Sequence, residues 1–440
     1  MTVKEDKMKK KLLKLSKLPF IRNVFIMATG TATAQLIAVA LSPIITRLYG
    51  PEAYGIMGVF ISIIGIVAPI SALTYPIAIV LPKSDSEAKG IIRLSLYLTS
   101  LISILVTIFL LFLGDKLVDL FQLKEVAPFL YLIPLVVLFS GYLQVIQQWL
   151  IRTKQFSITA KVSFFHALLF HGSMVGVGIL YPVAAVLVVM TALSNGIKAF
   201  LLFIFTRISS YKQFSMREKN EIKVPLKKIA KKYNEFPKYR APEVLINAAS
   251  QSLPILLLTI FFGPASAGFY SIGRTVLGAP SQLIGLSVGD VFYPKINQAA
   301  NDGKELTSLI RKATVALGLI GIIPFGTVIM FGPWLFSFVF GDNWGLAGEY
   351  ARWIAIWSFF VFMNIPSIRT LPVLSAQSFH LKFTTIMLIT RVSALSIGYF
   401  IYKSDMVAIA LFGITGAILN LLLIFKTLHL SKNFDKSQPI

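Results

Sequence analysis

The chain has 440 residues, of which 56% are hydrophobic and 14% charged, so we expect most of its surface to face lipid rather than water. A net charge of +23 would suggest a nucleic-acid ligand in a soluble protein, but here the basic residues lie between apolar runs, and we predict no nucleic-acid partner. The absence of cysteine and the presence of only four histidines exclude a disulfide framework and a thiol nucleophile, and we expect no metal or cofactor.

The chain begins with a basic segment, residues 1–21, which we interpret as an amphipathic stretch on the membrane surface. Twelve apolar runs follow, each near the roughly 20 residues that a helix needs to cross a hydrocarbon core about 30 Å thick. Because the runs do not alternate with polar residues, they favour helices over a barrel of strands. The runs lie near residues 22–48, 53–81, 91–113, 127–151, 158–180, 182–206, 241–262, 268–293, 308–331, 349–370, 380–402 and 406–429.

The loops between these runs share the basic residues unequally. One side of the membrane, called the basic side below, has 34 of the 42 lysines and arginines, and the opposite side has five. Because cytoplasmic loops are enriched in Lys and Arg, this distribution predicts that both termini are cytoplasmic and that the number of spans is even. The basic side holds both termini and the loops near residues 82–93, 152–161, 207–240, 294–312 and 369–382.

A Gly-Pro-x-x-x-Gly motif follows the first run at Gly50-Pro51 and recurs 213 residues later at Gly263-Pro264, after the seventh run. A glycine can end a helix without steric cost and a proline can begin the next one. Each motif therefore predicts a tight turn on the side of the membrane opposite the basic side. Leu81-Pro82-Lys83 and Tyr293-Pro294-Lys295 repeat at nearly the same offset. The sequence therefore predicts two halves of six spans each, related by an axis along the membrane normal.

The predicted fold is an all-α integral membrane protein of twelve transmembrane helices in two parallel six-helix lobes. Two such lobes leave a cleft near the bilayer midplane, where transporters of this architecture bind their cargo, so transport is the expected function. Residues 207–240 link the two lobes and contain eleven basic residues and three glutamates. We interpret this linker as a solvated segment touching lipid headgroups rather than as a substrate-capture site. The predicted regions are an N-terminal lobe (22–206), the linker (207–240), a C-terminal lobe (241–430) and a tail (431–440).

Three cations, Arg274, Arg391 and Lys198, lie inside predicted spans, where each costs about 2.5 to 3.5 kcal/mol on insertion scales. Arg391 lies midway along its span and is either a cavity residue or an arginine that is paired within the protein or snorkels toward water. Arg274 and Lys198 lie nearer to span ends, where snorkelling toward water is the competing interpretation. We select all three as candidate binding residues for an anionic cargo.

The first and seventh spans share a stripe of small and polar residues, from which we select Thr31, Gln35, Asn247 and Gln251 as candidate cavity residues. Packing between helices is the alternative role of such residues. Three cations and few acids within the spans should make a cavity that attracts anions. The candidates for proton or ion coupling are Glu243, Asp290 and His166, although a lone ionisable group more often stabilises a helix interface.

Several stretches together resemble the oligosaccharide or polysaccharide flippases, the Wzx type of the MOP exporter superfamily. Their order and spacing cover nearly the whole chain. Thr74-Tyr-Pro76 departs from the family, since many relatives place a charged pair around the tyrosine. The matching stretches are Gly30-Thr-Ala-Thr-Ala-Gln-Leu-Ile-Ala38, Ser42-Pro-Ile-Ile-Thr-Arg-Leu-Tyr-Gly-Pro-Glu-Ala-Tyr-Gly55, Ala78-Ile-Val-Leu-Pro82, Phe261-Phe-Gly-Pro-Ala-Ser-Ala-Gly-Phe-Tyr270, Arg274, Val291-Phe-Tyr-Pro294 and Phe340-Gly-Asp-Asn-Trp-Gly-Leu-Ala-Gly-Glu-Tyr-Ala351.

The resemblance implies a V-shaped exporter with a central cavity that moves undecaprenyl-diphosphate-linked oligosaccharide from the inner to the outer leaflet of the bacterial plasma membrane. It implies membrane lipids as surroundings and polysaccharide polymerases or export machinery as candidate partners. The family is similar to the lipid II flippases, whose cavity uses arginines for the diphosphate, and Arg274 lies in the corresponding eighth helix. Arg391 matches no family motif and is selected on its buried position alone.

Two other functions compete with a flippase. A cation- or proton-coupled multidrug antiporter of the same superfamily would need acids in its cavity. A membrane glycosyltransferase or polymerase would need a large outer loop or an Asp-x-Asp sugar-nucleotide site, and the sequence contains no Asp-x-Asp. We therefore predict a transporter without catalytic residues.

Overall fold

The protein is described by a computed structural model for residues 19–120, 124–210, 224–281 and 286–437. Every regular element in these ranges is helical. Residues 1–18 of the predicted N-terminal segment lie outside the described residues. The α-helices are, in chain order, α1 (Pro19–Val67), α2 (Asp85–Leu120), α3 (Ala127–Leu130), α4 (Ile133–Arg152), α5 (Phe156–Leu180), α6 (Ala184–Ser210), α7 (Leu226–Lys232), α8 (Ala241–Phe262), α9 (Pro264–Pro280), α10 (Leu286–Asn301), α11 (Leu306–Phe340), α12 (Gly345–Met363), α13 (Ile365–Thr370), α14 (Gln377–Phe400) and α15 (Asp405–Ser437).

Ten helical stretches of the described chain are long and apolar enough to cross a membrane. One of them, Thr29–Ile70, has 42 residues, which is enough for two spans, and it contains the non-helical residue Gly50. The predicted span near 268–293 is divided between α9 and α10. The all-helical membrane fold is therefore confirmed, and twelve spans are consistent with these helices.

The chain packs into two compact units. Unit 1 consists of the chain up to Tyr49 together with Phe60–Ser252, and unit 2 consists of Gly50–Val59 together with the chain from Leu253 onward. Small residues let helices approach closely in unit 1, where a Cβ added to Gly30 of α1 would lie 2.5 Å from the Cβ of Ala160 in α5. Tyr49 at the end of the first span donates a hydrogen bond of 2.7 Å to the carbonyl oxygen of Met174.

Unit 2 is held together by close helix contacts and by a capping carboxylate. A Cβ added to Gly332 of α11 would lie 2.5 Å from the carbonyl oxygen of Gly348 in α12, so neither position has room for a larger residue. Asp435, near the end of α15, accepts hydrogen bonds of 2.8 and 3.0 Å from the backbone N–H groups of Leu306 and Thr307. This carboxylate satisfies two free donors at the start of α11 and attaches the C-terminal helix to it.

The predicted second span, 53–81, is not a regular helix to its end, and that expectation is wrong. The α-helix ends at Val67 and is followed by 3₁₀ turns at Ala68–Ile70 and Tyr75–Val80. Between them, Leu73 and Thr74 have φ values of 49° and 59°, which are costly for residues with a Cβ. Prolines at positions 69 and 76 explain the break, because each lacks the N–H that a helical hydrogen bond requires.

The free carbonyl groups at the end of this broken span are bound by Arg152, the last residue of α4. Its Nη1 donates to the carbonyl oxygens of Ile79 (3.2 Å) and Pro82 (2.7 Å), and its Nη2 lies 2.9 Å from Asp85 Oδ1. The arginine side chain is only 12% exposed. It therefore supplies the donors that an α-helix would have supplied from its own backbone.

Replacing Arg152 by alanine should destabilise the protein by about 2 kcal/mol, because two half-buried carbonyl oxygens lose a charged donor. The measurement is the unfolding midpoint in detergent, with the exposed neighbour Lys83→Ala as the matched control. If both variants unfold at the wild-type midpoint, Arg152 does not stabilise this end of the span.

Candidate functional site

Arg391, on α14 in unit 2, is held by aromatic rings. Its guanidinium carbon lies 4.6 Å from the ring centre of Trp357 on α12 and 5.5 Å from that of Phe412 on α15. The two rings meet edge to face, with centroids 5.3 Å apart. No carboxylate forms an ion pair with Arg391 among the described residues. Ring faces stabilise a cation without occupying its donors, so this guanidinium keeps its hydrogen-bonding capacity.

Two nitrogen donors in this cluster have no hydrogen-bond partner within the described structure. They are Nε of Arg391 and Nε1 of Trp357, and both atoms are buried. A buried N–H without a partner is costly, and each can only donate. The cluster therefore favours a ligand that accepts hydrogen bonds and carries negative charge.

Arg274, on α9, lies within electrostatic range of Arg391 and of Tyr270. Tyr270, one turn before Arg274, is fully buried and packs edge to face against Phe412 at 6.0 Å. Two neighbouring cations repel each other in a medium of low dielectric constant, and an anion between them would relieve this repulsion. Guanidinium groups are well suited to phosphate oxygens, so Arg274 and Arg391 are the candidates in unit 2 for contact with an anionic group.

The residues on the face of Arg391 have different roles. Gly398 is a helix contact, since an added Cβ would lie 2.3 Å from Cα of Ala408 in α15. Ala394 is buried, and Thr384 is exposed with its hydroxyl donating to the carbonyl oxygen of His380. Gly398 therefore serves the packing of α14 against α15.

Lys198 and His166 belong to unit 1, on α6 and α5. His166 Nε2 lies 3.0 Å from the carbonyl oxygen of Ser194 and 3.1 Å from its hydroxyl, and it is within electrostatic range of Lys198 one turn further along α6. The imidazole also stacks on Phe170, with ring centroids 5.7 Å apart. These contacts make His166 a helix-interface residue that bonds α5 to α6.

The remaining predicted site residues lie in unit 1, apart from Asp290 of α10 in unit 2. Glu243 is half exposed and pairs with Arg240 at 2.8 Å, so it is an acid at the end of its helix. The side chain of Asp290 lies outside the described residues. Four polar candidates lie on α1 and α8 in unit 1, whereas Arg274 and Arg391 lie in unit 2, so no single unit contains the whole predicted set. These four are Thr31, Gln35, Asn247 and Gln251.

The two Gly-Pro turns meet each other in unit 2. A Cβ on Gly55 would lie 1.7 Å from the carbonyl oxygen of Pro264, and one on Gly268 would lie 2.0 Å from that of Pro51. The second glycine of each motif thus packs against the proline that begins the other. Gly50 and Gly263 have φ values of 70° and 89°, which confirms the prediction that glycine is needed to end the preceding helix there.

Trp344 covers this contact. It is buried, and its ring lies edge to face against Tyr54 at 5.3 Å and Phe269 at 6.2 Å. The motifs indicated turns, but neither their mutual contact nor the tryptophan could be found from the spacing. Trp357, Phe412 and Tyr270 were likewise missed, because an aromatic residue in an apolar span carries no sequence signal that distinguishes a ring beside an arginine from a lipid-facing ring.

Comparison with solved structures identifies the fold. An inward-facing multidrug resistance MATE family transporter of the MOP superfamily has a TM-score of 0.70 at 14% identity, covering 94% of this chain and 100% of that one. The lipid II flippase MurJ in an inward closed conformation has a TM-score of 0.70 at 13% identity, covering 93% and 90%. A MOP superfamily transporter from Pyrococcus furiosus Vc1, described by the reverse polarity of its binding pocket, has a TM-score of 0.59 at 12% identity, covering 95% and 96%.

Sequence comparison identifies the family. A search of curated proteins finds no match. Residues 44–347, more than half of the chain, match the model of a family described as polysaccharide biosynthesis protein. The resemblance predicted from the sequence is thereby confirmed: this multi-pass membrane protein belongs to the polysaccharide biosynthesis protein family and has the fold of the MOP superfamily structures named above.

Proposed function

We propose that the protein is a flippase that moves undecaprenyl-diphosphate-linked oligosaccharide repeat units from the inner to the outer leaflet of a bacterial plasma membrane, for surface polysaccharide synthesis. The observation that supports this substrate is the pair Arg274 and Arg391. Arg391 contacts two aromatic rings, and among the described residues it has no carboxylate in an ion pair, while its own Nε and the Nε1 of Trp357 have no hydrogen-bond partner. Guanidinium groups bind phosphate oxygens through charge-assisted, often bidentate hydrogen bonds.

The proposed mechanism is alternating access by two lobes, 22–206 and 241–430, joined by the linker 207–240, with 1–21 and 431–440 as cytoplasmic ends. The diphosphate and sugar enter a polar cavity, where the arginines offset the anionic charge. Further substrate-binding candidates lie in unit 1, and they are Gln35, Thr31, Asn247, Gln251 and Lys198. The lipid tail stays within the bilayer throughout, so it is never exposed to water.

The direction of transport follows from charge. With both termini in the cytoplasm, as the basic loops predict, a negative cell interior favours outward movement of an anion by about 2.3 kcal/mol per charge per 100 mV. The membrane potential therefore favours export of the anionic cargo without demanding that an ion be coupled to it. Coupling to an ion through Glu243, Asp290 or His166 would add to this force but is not required by the mechanism.

A multidrug antiporter is the rival within the same fold. Binding of a cationic drug requires acids near the cargo, whereas in the described part of unit 2 Arg391 has Arg274 within electrostatic range and no carboxylate in an ion pair with it. This charge arrangement favours an anionic cargo.

The test is complementation in bacterial strains that lack their own flippase, using a panel that differs in repeat-unit sugar. We expect surface polysaccharide to be restored in at least one strain, with lipid-linked intermediates no longer accumulating. A drug-hypersensitive strain is the parallel arm. Restored drug resistance together with no restored polysaccharide in any strain would reject the proposal.

A further inference from the structure

A short basic helix of the linker, α7, is fixed to unit 1 by its apolar face. Ile229 and Tyr233 are buried on this face, and a Cβ added to Gly90 of α2 would lie 2.1 Å from Ile229 Cδ1. The helix is also bonded to the broken second span, because the Tyr75 hydroxyl donates to the carbonyl oxygen of Ala230 at 3.2 Å. The linker is therefore structured at this point, with a defined orientation.

The opposite face of α7 consists of lysines. At 100° per residue, the apolar positions 226, 229, 230 and 233 share one side of the helix, and positions 227, 228, 231 and 232 share the other. Lys232 bonds to Glu87 of α2, whereas Lys227, Lys228 and Lys231 are exposed and have no ion pair within the described structure. These three residues are called the α7 lysine face below.

The depth of α7 follows from its contacts with α2. The span Asp85–Lys116 has 32 residues and is therefore about 48 Å long, well beyond a hydrocarbon core of about 30 Å. Its apolar run begins near residue 91, so Glu87 and Gly90 lie where the helix leaves the hydrocarbon. Because α7 packs beside these first turns of α2, it lies at the level of the lipid headgroups.

The composition around α7 also suits a membrane surface. From residue 224 to 240 the chain has six basic residues and one acid, Glu235. Tyr239 is 62% exposed, with Lys238 Nζ 5.0 Å from its ring centre. Tyrosine and lysine side chains are typical of the interface, where an apolar stem reaches the membrane and the polar end reaches the headgroups.

We propose that the α7 lysine face is a binding surface for the anionic phospholipid headgroups of the basic-side leaflet. Each lysine near a membrane surface attracts acidic lipid by about 1 kcal/mol, or about fivefold. The three lysines are fixed on one side of a helix that cannot turn, since its other side is held by Ile229 and Tyr233. The surface would enrich acidic lipid beside the second span, independently of the cargo.

The natural chain has no cysteine, so one introduced at the exposed residue Asn234 gives a unique labelling site. A donor dye there, in full-length protein in nanodiscs, reports energy transfer to acceptor-labelled phosphatidylglycerol or to acceptor-labelled phosphatidylcholine. At low salt we expect the acidic lipid to be enriched about fivefold near the dye. The enrichment should fall in high salt, because exposed charges are screened.

The decisive variant is the triple substitution Lys227→Gln, Lys228→Gln and Lys231→Gln, which should remove the enrichment. The matched control is the triple Lys312→Gln, Lys432→Gln and Lys436→Gln, which removes the same charge from exposed residues of unit 2 and should retain it. Equal energy transfer to both lipids in the labelled protein with an unsubstituted lysine face would overturn the proposal. Enrichment of the acidic lipid that survives the α7 triple substitution would also overturn it, as would enrichment that both triple substitutions abolish equally.

Discussion

Alanine at Gly55 should abolish transport and destabilise the protein by about 3 kcal/mol, the largest effect that we expect from a single methyl group. The added Cβ would lie 1.7 Å from the carbonyl oxygen of Pro264, and backbone atoms cannot move aside as a flexible side chain can. The reciprocal variant, Gly268→Ala, should behave in the same way, since its Cβ would lie 2.0 Å from the Pro51 oxygen.

The matched control is Gly326→Ala, another helical glycine of unit 2, whose added Cβ would meet no atom within 4 Å. Because alanine favours a helix over glycine, this control should unfold at or above the wild-type temperature and should transport normally. Unfolding midpoints in detergent and surface polysaccharide in a complemented strain are the two measurements. A Gly55→Ala protein that matches Gly326→Ala in both would contradict the close contact of the two turns.

Substitution of the paired arginines should reduce transport of a diphosphate-linked cargo by about ten- to a hundredfold for each residue. This range corresponds to about 1.5 to 3 kcal/mol for a hydrogen bond to a charged group. Arg391→Lys should recover only part of the loss, because an ammonium group lacks the planar face that lies against Trp357. Rates are compared at equal protein level in the membrane.

The exposed Arg311→Ala is the control, since it removes a cation of the same unit from a helix end. It should leave the rate unchanged. Trp357→Leu should lower the rate, and Trp357→Phe should lower it less, because phenylalanine keeps a ring face for the guanidinium. Wild-type rates in both Arg274→Ala and Arg391→Ala would remove these residues from the binding site.

Hydropathy and turn residues predict much of this fold. Twelve apolar runs and the repeated Gly-Pro motif indicate the helices and the position of two turns, because lipid requires internally bonded backbone and glycine alone adopts the φ at Gly50 and Gly263 without strain. The break of the second span was missed, although prolines 69 and 76 are visible in the sequence. Hydropathy measures only how apolar a run is. An irregular segment whose carbonyl groups are hydrogen-bonded can be as apolar as a regular helix, so hydropathy does not distinguish the two.

The arrangement around Arg391 could not be predicted from its position in an apolar run. An arginine there needs a partner, but the sequence cannot distinguish a carboxylate from an aromatic face on another helix. Trp357 and Phe412 come from α12 and α15, and only the folded chain brings them to α14. The need for the second glycine of each motif could not be predicted for the same reason, because Gly55 is constrained by contact with Pro264, more than two hundred positions away.

Transport is measured most directly in proteoliposomes that contain the purified protein and a short-chain polyprenyl-diphosphate oligosaccharide with a fluorescent sugar. A membrane-impermeant reagent that destroys the label in the outer leaflet reports how fast the label in the inner leaflet becomes accessible. We expect rapid, protein-dependent loss of the inner signal, slowed at least about tenfold in the Arg274→Ala, Arg391→Ala protein. Equal rates in proteoliposomes and protein-free liposomes would contradict the proposed flippase.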